Sequence, residues 1–259
     1  MKLKLYQVDA FASEVFKGNP AAICPLTSWL PDAVMQNIAA ENNLSETAFF
    51  VPNNNGFHIR WFTPASEVDL CGHATLAAAH VIFHELDYKK SEIEFETKSG
   101  PLFVKQDKYG LQLNFPNQKP VPCEPPKAIT RAFSESAIQC LKSEDYILVF
   151  EHEETVKNLQ PNFSELSTLD LRGVVITARS EKFDFVSRCF APKYGINEDP
   201  VTGSTFTELA PYWAEVLSKN SLHAKQVSKR SGEVFCELQE DRVLISGRCI
   251  LYMVANIYI

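Results

Sequence analysis

Two stretches of this chain say nearly the same thing, and that repetition limits the folds open to it. Glu67-Val68-Asp69-Leu70-Cys71-Gly72-His73-Ala74-Thr75 runs into the apolar segment Leu76 to Phe83, and Glu198-Asp199-Pro200-Val201-Thr202-Gly203-Ser204-Thr205 runs into Phe206 to Leu217. A shift of about 131 positions sets Glu67 on Glu198, Cys71 on Thr202, Gly72 on Gly203 and His73 on Ser204. Upstream, Phe62-Thr63-Pro64 is echoed by Phe190-Ala191-Pro192, with about three residues inserted in the second copy. A duplication is the natural reading, so the 259 residues divide into two similar halves more readily than into one large domain.

The pattern of apolar residues places elements around these two motifs. Residues 3 to 11 alternate as a strand, and Gly18-Asn19-Pro20 turns the chain so that Ala21 to Cys24 can pair back. Pro31 opens a helix to about Glu41, ended by Asn42-Asn43. Thr47 to Val51 and Phe57 to Phe62 read as a hairpin about Asn53-Asn54-Asn55-Gly56, with Glu46 at its lip. The segment 73–86 is apolar nearly all round, which predicts a helix buried on most faces. Strands follow at Ile93–Thr97, Leu102–Lys105 and Leu111–Phe115. Pro116, Pro120, Pro122, Pro125 and Pro126 then mark a stiff extended linker. Beyond it the plan repeats: helices near 130–140 and 162–168, strands at Tyr146–Phe150, Val174–Ala178 and Phe183–Phe190, a second central helix over 204–218, and hairpin strands at 224–228, 232–239 and 242–246. The last residues, 250–259, are strand-like and could return to the first domain. The expected fold is α+β, with barrel-like domains over 1–117 (completed by 250–259) and 124–249, each a curled, mostly antiparallel sheet around a central helix, and a cleft between them.

Composition narrows the partners. A formal charge of −7 and a pI near 5.4 argue against nucleic acid or an anionic membrane, and no basic run interleaved with aromatics offsets them. No apolar run approaches the ~20 residues needed to span a bilayer, and the N-terminus alternates like a strand instead of carrying a signal peptide's apolar core. Seven scattered cysteines, never spaced C-x-x-C, suit a reducing compartment. A soluble cytoplasmic protein is expected.

The two repeats also suggest chemistry. Glycine with a small polar residue before a helix exposes backbone N–H groups, and the helix dipole adds about half a positive charge there. Gly72-His73 and Gly203-Ser204 are therefore candidate anion-binding corners. One such corner is ordinarily only a cap; two at a matching offset, each beside an acidic residue, argue for a clamp on a small carboxylate. Glu46, flanked by apolar residues, is either a solvated strand-end acid or a carboxylate held in the cleft, where a raised pKa would suit proton transfer. Asp199, beside the second corner, is a candidate partner or substrate-orienting group. His80 and His84 have a helical metal-ligand spacing, but Val81 stands where H-E-x-x-H needs Glu, so core histidines are expected and no metal. No dinucleotide, P-loop or nucleophile-elbow motif is present.

The chain resembles the PhzF family, the phenazine-biosynthesis-like proteins within the diaminopimelate-epimerase-like superfamily. The resemblance rests on Val8-Asp9-Ala10-Phe11, Gly18-Asn19-Pro20-Ala21-Ala22, Leu44-Ser45-Glu46-Thr47-Ala48-Phe49, Arg60-Trp61-Phe62-Thr63-Pro64 and the two repeats themselves. It implies two pseudo-symmetric halves, commonly as a homodimer, and isomerisation of a cyclic amino-carboxylic acid by proton transfer without metal or organic cofactor. Carried onto matching positions, it implies Glu46 as the acid/base, with His73 and Asp199 beside it and Gly72, Gly203 and Ser204 binding substrate; Cys71 and Thr202 sit with them at the two mouths. The epimerase branch is similar but pairs two thiols, and Thr202 occupies the second thiol's place; a hydroxyl is too weak an acid to replace it, which disfavours an epimerase built on Cys71. The chain departs from the nearer family at Thr205-Phe206 and Lys229-Arg230-Ser231-Gly232, so the substrate can differ. The competing expectation is a non-catalytic binding or interaction protein that keeps the fold.

Overall fold

Alternation in the first residues gives β1 (Lys2–Ala10), and Gly18 turns the chain back into β2 (Asn19–Pro25), antiparallel to it. Gly18 has φ +66°, and a Cβ there would lie 2.1 Å from the Ala10 carbonyl oxygen, so the turn that presents Asn19 accepts no side chain. The computed structural model describes residues 1–259, which group into two units, Met1–Asn114 with Ser246–Ile259, and Phe115–Ile245.

In the first unit α1 (Asp32–Asn42) follows Pro31 and ends at Asn43, whose left-handed φ of 49° closes the helix as asparagine can. It carries the chain over to β3 (Glu46–Pro52), parallel to β2 with Glu46 opposite Ala21. The Asn53 side chain closes the next turn, accepting from the N–H groups of Asn55 (3.1 Å) and Gly56 (2.7 Å), and β4 (Phe57–Phe62) returns antiparallel. After β5 (Glu67–Val68) comes α2 (Gly72–His80), buried from His73 to Ala79 as its all-round apolar sequence predicts. Its last turn, Val81–Glu85, widens to a π-helix. β6 (Glu92–Glu96) runs parallel to β4, and β7 (Leu102–Asp107) and β8 (Gly110–Pro116) continue antiparallel.

The second unit repeats this order. It holds β9 (Val121–Pro122), α3 (Lys127–Ala132), β10 (Gln139–Lys142), β11 (Tyr146–Phe150), α4 (Glu153–Asn158) and α5 (Phe163–Leu166). Then come β12 (Val174–Arg179), β13 (Phe185–Ala191), β14 (Ile196–Asp199), α6 (Phe206–Leu217), β15 (Ser221–Gln226), β16 (Gly232–Gln239) and β17 (Arg242–Gly247). The pairings β10–β11, β11–β12, β12–β13, β13–β14 and β13–β15 are antiparallel, parallel, antiparallel, antiparallel and parallel. Those of β1–β2, β2–β3, β3–β4, β4–β5 and β4–β6 follow the same series. β18 (Cys249–Tyr258) pairs with β1 along its length and belongs to the first unit, as β9 pairs with β10 in the second. The fold is α+β, its mixed sheet curled but not closed.

Several expectations are corrected. The proline segment does not run free: Val121 and Pro122 pair with β10, and the Gln118 N–H donates to the Thr207 carbonyl (3.0 Å). That bond has a cause in the sequence. Pro211 inside α6 has no N–H to give Thr207, and the linker supplies the donor instead. The helix expected over 130–140 is only α3, followed by β10, and α4 was not foreseen. His80 is half-buried and His84 exposed, their rings 4.6 Å apart, so neither is a core histidine.

Candidate active site

The sequence singles out a helix mouth in each unit, and the structure builds each from short-range chemistry. In the first unit, Cys71 ends an extended segment at φ −148° and α2 begins at Gly72 with no side-chain cap, which leaves its first N–H groups to face whatever lies before the helix. The Thr75 hydroxyl and N–H both bond back to the Cys71 carbonyl, at 2.6 and 3.1 Å, and fix the first turn. The His73 side chain then points at β3: its Nε2 lies 3.2 Å from Glu46 Oε2, and both side chains are nearly buried, 7% and 13% exposed. On the other side of the ring, Nδ1 lies 3.4 Å from Asn19 Nδ2 and 3.5 Å from Cys71 Sγ.

These contacts assign the imidazole. Burial pushes the His73 pKa down to about 3, so the ring is neutral near pH 7 even beside a carboxylate, which pulls the other way. Asn19 Nδ2 can only donate, so Nδ1 accepts and the ring proton resides on Nε2, the nitrogen nearer Glu46, whose Oε2 it approaches to 3.2 Å without completing a hydrogen bond. Glu46, Cys71 and His73 bring ligand atoms within 4.8 Å of one another. Cys71 and Glu46 nevertheless face opposite ring nitrogens, and one ion can bind only one of them.

The second mouth lies on unit two. Thr202 donates to Asp199 Oδ2 through its hydroxyl, and its N–H donates to the Gln226 side-chain oxygen (2.9 Å). Gln226, fully buried, in turn donates to the Asp199 carbonyl (2.8 Å). Gly203–Thr205 form one 3₁₀ turn that leads into α6, and Ser204 Oγ accepts from Arg172 Nη1 at 2.9 Å. Arg172 is held by buried Asp145, Nε to Oδ1 at 3.0 Å and Nη2 to Oδ2. Glu208, on the first turn of α6, is fully buried, and no side chain donates to its carboxyl. Burial and the neighbouring Asp145 raise its pKa to about 8.

The structure thus brings Glu46, Cys71, Gly72 and His73 together in one unit, and Asp199, Thr202, Gly203 and Ser204 in the other. A thiol does lie near the second mouth: Cys189 contacts Thr202. Burial holds its pKa well above the usual thiol range, so it cannot serve as the acid missing at Thr202. Sequence reasoning did not assign Asn19, Gln226, Arg172, Asp145 or Glu208. Asn19 lies inside the Gly18-Asn19-Pro20 motif and Glu208 on α6, an acid in an apolar helix; Gln226, Arg172 and Asp145 come from separate strands and turns and leave no local signal.

Fold, site and likeness to known proteins put this chain in the isomerase class. It belongs to the phenazine biosynthesis-like (PhzC-PhzF) family, whose model matches residues 8–255. It is 49% identical to an uncharacterized isomerase of Pseudomonas aeruginosa over the whole of both chains. A crystal structure of a PhzF-family phenazine biosynthesis protein from Enterococcus faecalis superposes with a TM-score of 0.97, at 46% identity and complete coverage of both chains. A hydroxyproline epimerase of Agrobacterium vitis shares the fold at 10% identity and a TM-score of 0.61, over 99% of this chain and 92% of that one.

Proposed function

We propose that the protein is a cofactor-independent isomerase that moves a proton between two atoms of a small carboxylate-bearing metabolite, cyclic or amino acid-like. One observation carries the reading. Glu46 and His73 meet at 3.2 Å at a nearly buried helix mouth, with a neutral imidazole whose Nε2 is the nitrogen on the carboxylate side. In this reading the Glu46 carboxylate takes a proton from carbon and returns it at a second position. The His73 Nε2–H stabilises Glu46 while it is ionised and releases it when it carries the proton. Such a pair can supply roughly 10²–10⁴-fold of rate per proton transfer. Gly72 and Cys71 beside this pair offer an anion corner for the carboxylate, and Gly203, Ser204 and Thr202 offer another on the second unit, where Asp199 is a substrate-orienting group.

The same reading takes the protein as a cytoplasmic homodimer arising from an internal duplication. The recurring series of strand pairings supports the duplication, and the net charge of −7 speaks against nucleic-acid and membrane partners. No helix is long and apolar enough to cross a membrane.

The test is a panel of amino and cyclohexadiene carboxylic acids incubated with the protein in D₂O. Deuterium should enter at a carbon of at least one acid and fail to enter with Glu46→Gln. Exchange unchanged in that variant, or no exchange anywhere in the panel alongside tight carboxylate binding, would overturn the reading in favour of another base or of a binding protein.

A further inference from the structure

We propose that Arg172 is a positioning residue. Charge-balanced by Asp145, it sets the Ser204 hydroxyl as a hydrogen-bond donor to a singly charged carboxylate at the mouth of α6. The inference rests on the assignment of Ser204 to substrate binding.

A free serine hydroxyl can accept or donate and turns to suit. Here Arg172 Nη1 donates to Ser204 Oγ at 2.9 Å, and a guanidinium has no lone pair to accept in return. The hydroxyl proton must therefore point elsewhere. The positive charge behind the oxygen also makes that proton a stronger donor. The guanidinium cannot swing away, because Nε and Nη2 are both spent on Asp145, whose side chain is fully buried. Glu144, 3.7 Å from Nη1, borders the same group.

The charge balance limits the ligand. Asp145 cancels Arg172, Glu144 beside Arg172 and Asp199 beside Thr202 add negative charge, and Glu208, fully buried, adds none while it keeps its proton. What remains to attract an anion is the partial charge of the helix end and one directed hydroxyl, against those carboxylates. That suits a carboxylate and is poor for a dianionic phosphate.

The test measures binding of benzoate, 2-aminobenzoate and phenyl phosphate by titration calorimetry. The wild type should bind at least one carboxylate and bind phenyl phosphate more weakly. Ser204→Ala should lose at least tenfold in affinity. Arg172→Gln combined with Asp145→Asn, which replaces the ion pair by neutral amides and avoids an orphaned charge, should lose as much, and adding Ser204→Ala should cost nothing further. A purely structural role would lower the thermal midpoint of the double variant and leave its affinity unchanged; that outcome overturns the Arg172 proposal and leaves the isomerase reading standing. Tighter binding of phenyl phosphate than of carboxylate also overturns it. Wild-type protein that binds no carboxylate overturns both.

Discussion

Arg60 and Glu67 are joined by two parallel hydrogen bonds, Nε to Oε1 at 2.7 Å and Nη2 to Oε2 at 2.8 Å. The same fork recurs in the second unit between Arg188 and Glu198, at 2.6 and 3.0 Å. Each arginine also lies over the aromatic ring two residues on, Phe62 at 5.2 Å and Phe190 at 4.9 Å. In both units the fork ties the fourth long strand to the short strand before the helix mouth, so it sets where that mouth begins. The two forks differ in one respect. Arg188 Nη1 also donates to the carbonyls of Val156 (3.1 Å), Lys157 (3.4 Å) and Leu159 (2.7 Å), at the end of α4, whereas Arg60 reaches only the exposed Asp32.

Arg188→Gln should therefore destabilise more than Arg60→Gln. The first strands a carboxylate and the carbonyls behind it, a loss of about 3–5 kcal/mol. The second leaves a more exposed site and should cost about 1–2 kcal/mol. Urea unfolding midpoints compare the two directly; equal losses would show that the α4 carbonyls contribute nothing.

Glu67 gives this fork a pH signature. The Arg60 hydrogen bond is the largest influence on it, with Lys98 adding to it, and together they hold its pKa at about 2. An unfolded glutamate titrates near 4.5, so between these values the unfolded chain binds more protons. The stabilisation is complete above about pH 4.5 and is lost as pH falls towards 2. Glu67→Gln should lie on the order of 1–3 kcal/mol below wild type at pH 6, a gap that closes near pH 2; a constant gap would show that ionisation is not the source.

How much of this was legible in the sequence follows from what each feature depends on. The buried central helix rests on local apolar pattern and stands in the structure as expected, and Glu46 begins β3, at the lip of its hairpin with β4. The π-turn at Val81–Glu85 and the replacement of a helix by β10 do not rest on local pattern, because tertiary pairing decided them. At the first mouth the motif text held every residue. At the second, Arg172, Asp145 and Gln226 arrive from distant strands and turns, and no spacing rule joins Arg172 to Ser204.

The His73 ring should not titrate across the physiological range. Burial keeps it neutral down to about pH 3, while an unfolded histidine titrates near 6.5. Its proton NMR resonances should stay flat from pH 5 to 8, and Glu46-dependent deuterium exchange should show no limb from His73 in that range. Asn19→Ala should weaken the tautomer preference and lower exchange by roughly tenfold without unfolding the protein, since it removes the donor to Nδ1. A His73 titration near pH 6.5 in the folded protein would remove the basis for a neutral Nε2–H on the Glu46 side.

Glu208 should make the protein less stable as pH rises, the reverse of Glu67. Its carboxyl is fully buried on α6, and Asp145, Glu144 and Arg172 are the charged groups that act on it. Burial and Asp145 raise its pKa to about 8 against about 4.5 unfolded, with Arg172 opposing them. Between those values the folded state keeps a proton that the unfolded chain releases. Its contribution is full below about pH 4.5 and falls away as pH rises through 8. Glu208→Gln has nearly the same shape and no proton to lose. The variant should therefore gain on wild type by a few kcal/mol between pH 5 and 8, read as a rising difference in urea midpoint. A difference that stays constant across that range would show that Glu208 is ionised in the folded protein, and that Arg172 faces two carboxylates instead of one.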